Sequence, residues 1–207
     1  MFACQHPALR RVTPGLPAGS SVAAMAGGGI AVGVVARTGR AVVVLLQGTR
    51  GAPGFAARRE IELAGAGLPA RPYHAAAGLD LAAAGMLIGQ AGRGAAETAA
   101  AGLRALLASL PAPPSVSGVA VAVKAVAIPD SVGDVLRSHA WMHAAEGVLC
   151  REAVLAAARQ CGWTACAVEV SPLPAADQIL ATLGRAAGRP WRRAEKDAAR
   201  AALTLLR

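Results

Sequence analysis

One glutamate stands where the helical pattern calls for an apolar residue. Between His143 and Cys161 the chain reads as a helix. Positions 146, 149, 150, 153 and 157 share one face of it, filled by Glu146, Leu149, Cys150, Ala153 and Ala157. A carboxylate in that company has to pair, hold a metal ion or take up a proton, because burying it charged and alone costs several kcal/mol. His143 lies three residues earlier and points to the same side. Two outcomes stand: a Glu146–Arg or Glu146–His pair that fixes the helix against its neighbours, or a place in a reactive site.

Other acids fall at suggestive positions. The last helix opens with Glu195 and Asp197. Asp197 lies at the edge of that helix's apolar arc, suited to facing a cleft, and Glu195 falls nearer the centre. An acid in a first turn also stabilises the helix dipole with no further role. Asp130, between Pro129 and Ser131, is either a site residue or a turn or N-cap residue. His139 and His143, four apart, could ligate zinc from one helical face, but no nearby cysteine or third histidine completes a site. Trp191 sits between Arg189-Pro190 and Arg192-Arg193. It suits the core where the last helix docks better than a nucleic-acid backbone. Gly27-Gly28-Gly29 precedes a strand instead of joining strand to helix, so it is no phosphate loop, and there is no Walker or GxGxxG pattern. Ser20 and Ser21 lack the context of a nucleophile elbow.

These residues need a scaffold. Ile30–Ala36 and Ala41–Leu46 are β-rich apolar runs around a Thr38-Gly39 turn, which predicts a hairpin covered on both faces. Arg58 to Leu63 alternates charged and apolar residues, as an edge strand with one wet face would. A loop follows, with Gly65, Gly67, Pro69 and Pro72. The Ala-rich stretch Asp80–Leu110, interrupted by Gly89, Gly92 and Gly94, predicts one broken helix or two. Val116–Ile128 predicts a buried central strand ending at Pro129-Asp130. The helix of Glu146, a short strand over Thr164–Val170, a helix near Ala175–Ala187 and a last one from about Arg192 complete the order.

Composition sets the limits. The 207 residues are 55% hydrophobic but only 3% aromatic, so the core must be built from Ala, Val and Leu. The net charge is +9, carried almost wholly by Arg, with Lys only at Lys124 and Lys196. Arg forks match phosphates and suit a polyanion partner, DNA or RNA; a GC-rich genome would inflate Arg, Ala, Gly and Pro together as well. So few aromatics argue against single-strand binding by base stacking. Cys4, Cys150, Cys161 and Cys166 form no CxxC pair and read as reduced thiols of a cytoplasmic protein. No segment reads as a signal peptide or a membrane span. Residues 1–20 read as a loose extension, with residues 21–207 as one domain; Met25, just before the first core strand, is an alternative start.

The order β-β-β-α-β-α-β-α, closing on Lys196-Asp197-Ala198-Ala199-Arg200-Ala201-Ala202-Leu203, resembles the ribonuclease H-like superfamily, and within it the Holliday-junction resolvases. The resemblance covers roughly Gly28 to Arg207. It implies an α/β fold, a mixed five-stranded sheet with helices on both faces. It also implies Mg²⁺ or Mn²⁺ held between carboxylates and clamping a phosphodiester, in a metal-dependent nuclease acting on DNA or RNA. The fourth-strand acid maps to Asp130 and the final-helix acid to Asp197, with Glu195 beside it. The first-strand acid is missing, because Ile30–Ala36 holds no Asp or Glu, and Glu146 is the substitute. The different-class expectation is an inert module that keeps the fold to bind nucleic acid or a protein.

Overall fold

The computed structural model describes residues 29–112, 114–170 and 174–207, so the expectations for the N-terminal extension, Met25 and Cys4 fall outside the described residues. Strands β1 (Ile30–Arg37), β2 (Arg40–Gly48) and β3 (Pro53–Glu62) are antiparallel neighbours. Gly39, with φ 76°, makes the left-handed turn between the first two. Strands β4 (Val116–Val123) and β5 (Ala165–Glu169) add in parallel on the other side of β1. The sheet order is β3-β2-β1-β4-β5, which is the mixed five-stranded sheet the element order implied. β3 is an edge strand, as its alternation predicted.

Each face of the sheet is covered by its own helices. Helices α2 (Leu81–Ala108) and α4 (His139–Gln160) bury Val32, Val34, Val43, Leu45, Val119 and Val121. Helices α5 (Pro174–Ala187) and α6 (Arg193–Leu203) close over Ala31, Val44 and Leu46 on the opposite face. The core is Ala, Val and Leu throughout; Tyr73 is the one aromatic among its largest fully buried side chains. No helix among the described residues is long and apolar enough to cross a membrane.

Several boundaries differ from expectation. α2 runs unbroken for 28 residues, capped by the Asp80 carboxylate on the N–H groups of Ala82 and Ala83. Its glycines cost helix propensity but leave room: Gly94 meets Gly65 and Leu68, and Gly102 meets Ile61. β4 stops at Val123, short of Ile128, because β1 pairs with it only to Val121 and β5 only to Val123. α4 begins at His139, one turn earlier than expected, where the Ser138 hydroxyl accepts the N–H of Trp141. Two short helices add to the expected order: α1 (Pro72–Ala75), in the segment expected as loop, and α3 (Val132–Leu136), capped by Ser131.

Candidate functional site

The expected carboxylates take separate positions. Asp130 is exposed in the loop between β4 and α3, well past the end of the strand. Glu195 accepts the backbone N–H of Arg192 at 2.9 Å and so closes the first turn of α6. Asp197 accepts from Arg200 at 2.8 Å and lies 3.6 Å from the Arg193 guanidinium; Arg200 reaches on to Asp177 of α5. Glu146 belongs to the other side of the sheet, on α4, and is fully buried. No three acids among the described residues, these four included, bring their oxygens together within metal-binding reach. As placed, they form no common oxygen cage of the kind Mg²⁺ or Mn²⁺ requires.

The seam between β1 and α6 shows why no acid fits the first strand. The β1 residues on the face towards α6 are Ala31, Gly33 and Val35. At Gly33 the helix backbone lies so close that a Cβ would collide with the carbonyl of Ala198 and sit 2.8 Å from the N of Ala202. Glycine in a strand interior marks such close approach, and the small faces of Ala198, Ala199 and Ala202 complete it. At Gly33 helix and strand touch backbone to backbone, leaving no room there for an acidic side chain.

A second constellation forms where α1 crosses the start of α4. His74 of α1 donates or accepts through Nδ1 to Glu146 Oε1 at 2.8 Å, which realises the Glu–His pairing open from the sequence. Glu146 Oε2 and His74 Nε2 are both buried without a hydrogen-bond partner among the described residues. The His74 ring stands 5.0 Å from that of His139 and 4.5 Å from that of His143, centroid to centroid. One ring nitrogen from each of the three histidines falls within 4.8 Å of the others. The sequence offered His139 and His143 at helical spacing but hid the third ring, because α1 carries too few residues to show periodicity.

Tyr73, beside His74, is buried in the same small cluster with Ala76, Ile88 and Met142. Burial first, and the Glu146 carboxylate second, push its hydroxyl up from 10.0 to about 12. The fold therefore favours the neutral phenol. Its contribution to stability is whole below pH 10 and disappears as pH climbs from 10 to about 12, because the unfolded chain ionises first. An ultraviolet titration reads this directly, since Tyr73 is the single tyrosine. Ionisation of the folded protein near pH 10 would mean that the ring is solvated.

No family model matches the sequence, and no curated protein matches it. Among solved structures, RuvC of T. thermophilus in complex with a Holliday junction substrate aligns over 84% of this chain and 90% of its own, at 12% identity and a TM-score of 0.50. The fold is ribonuclease H-like. A second structure, Thermus thermophilus RuvC, covers 84% and 92% at 14% identity with a TM-score of 0.49. Within this ribonuclease H-like frame, the C-terminal corner gathers several exposed basic side chains. Arg58, on the edge strand, donates to the carbonyls of Gly188, Arg189 and Pro190, at 3.2 Å and 2.7 Å for the first two. The turn held in this way carries exposed Arg189, Arg192 and Arg193, with exposed Arg185 on α5 and Lys196 on α6. Trp191 docks inward, edge-on to Phe55 with centroids 6.3 Å apart.

Proposed function

We propose that the protein is a ribonuclease H-like module that binds DNA or RNA through phosphates and keeps the fold without a two-metal cleavage site. The observation that carries the reading is the arginine corner. A net charge of +9 is spread along the chain, but here Arg58 fixes a turn by its backbone, so several guanidinium groups extend from one rigid place. The RuvC structure bound to a Holliday junction supports nucleic acid as the polyanion. The closed seam at Gly33 and the arginine-held Asp197 favour binding over cleavage.

Affinity for duplex DNA and RNA, measured over a salt series, tests the proposal. Binding should weaken steeply with salt, with a slope of about −0.9 per phosphate contact on DNA. Arg185→Ala, Arg189→Ala and Arg192→Ala should each flatten that slope by about one such contact. A flat response in the parent protein rules the proposal out. Mn²⁺ calorimetry tests the nuclease reading, in which Glu146, Asp130 and Asp197, with Glu195, hold Mg²⁺ or Mn²⁺. Heat of binding that both Glu146→Gln and Asp197→Asn abolish would establish that reading in place of ours.

A further inference from the structure

We propose that His74, His139 and His143 bind one zinc ion, with Glu146 holding His74 in place and a fourth coordination position left open to solvent. The site is separate from the arginine corner and does not depend on nucleic-acid binding.

Donor type points to the ion. Three imidazoles with no oxygen ligand suit a borderline transition metal, zinc above all, and not magnesium or calcium. Geometry agrees. His139 and His143 are four residues apart on the first turns of α4, and Ser138 fixes where that helix begins. His74 arrives from α1, 72 residues before Glu146 in the chain. A tetrahedral zinc needs its nitrogens about 3.3 Å apart. The present nitrogens lie within 4.8 Å of one another, and the two on α4 belong to exposed side chains.

The buried atoms supply an independent argument. A carboxylate behind a metal-binding histidine fixes its tautomer and direction. Here Glu146 Oε1 lies 2.8 Å from His74 Nδ1, and the tautomer in which Nδ1–H donates to that carboxylate leaves the lone pair on Nε2. Nε2 is the atom buried with no hydrogen-bond partner among the described residues. A nitrogen left unpaired out of water is costly, and coordination to a metal satisfies it. A fully buried glutamate in an otherwise apolar cluster has the same explanation: it is the outer partner of a ligand. Zinc would then pin the short α1 to α4. Because His139 and His143 are exposed, the fourth position faces water, which a zinc ion binds and acidifies.

The test uses the full chain, stripped of metal and titrated with Zn²⁺ against a chromophoric chelator. The expected result is one zinc per chain. His139→Ala and His143→Ala, both surface changes, should each weaken binding at least ~100-fold, and Glu146→Gln by about 10- to 100-fold. Zinc should raise the melting temperature of the parent and leave that of both histidine variants unchanged. Cobalt in place of zinc should give a tetrahedral visible spectrum without thiolate charge transfer, which separates this site from binding at Cys161 or Cys166. Two results overturn the proposal: no zinc bound by the parent at micromolar concentration, or parent-like affinity in either histidine variant.

Discussion

Gly33→Ala should destabilise the protein by about 3 kcal/mol, the upper end of what an overpacked core position costs. The new methyl meets helix backbone at Ala198 and Ala202, not the end of a side chain that could swing aside. To admit it, α6 has to lift from β1, which also loosens Leu203 and Ala199 from Ala31 and Val44 on the same face. Gly33→Asp, which would restore an acid to the first strand, should do worse: it adds a charge to a seam with no space for solvent or metal. Urea unfolding of both variants measures the loss. Parent-like stability in Gly33→Ala would mean that α6 does not seat against the strand in solution.

His74→Ala should cost about 3 kcal/mol in chelator-containing buffer, because it takes the imidazole partner from a buried carboxylate and leaves only the long 3.4 Å contact from the His74 backbone N–H. Glu146 is fully buried, and one of its oxygens already has no hydrogen-bond partner among the described residues. Removing the His74 ring takes the 2.8 Å contact from the other oxygen. Deleting both polar partners should be far milder than deleting one, since an apolar pair of similar volume suits the cluster of Tyr73, Ala76, Ile88 and Met142. A double-mutant cycle of His74→Phe and Glu146→Leu, followed by urea melts, should therefore show strong coupling. Additive losses would mean that the two groups do not interact.

The architecture was legible wherever a segment was long enough to show its period. The β1–β2 hairpin announced itself through two β-branched runs around Thr38-Gly39, and the edge character of β3 through Arg59, Glu60 and Glu62. Glu146 was legible as an anomaly, because an acid among Leu149, Cys150 and Ala153 contradicts its own helix face. Its partner was not. His74 sits on a four-residue helix behind Pro72, and no local pattern links it to a glutamate 72 positions away. The end of β4 was misread because Ala125, Val126 and Ala127 continue its apolar pattern, whereas the strand's length is set by how far β1 and β5 extend beside it. Gly33 carried a signal that went unread: a glycine inside a strand, in a chain whose last helix presents alanine after alanine, foretells backbone contact. Asp197 looked like a cleft residue because periodicity gives a side chain's direction but not the arginines that meet it.

The Arg58 hook has one more effect. A tight turn ordinarily offers its carbonyl oxygens to solvent, and these repel an approaching anion. Here the oxygens of residues 188, 189 and 190 are all taken up by one guanidinium. The turn thus loses most of its own negative pole, and a phosphate coming from outside meets less repulsion from its backbone.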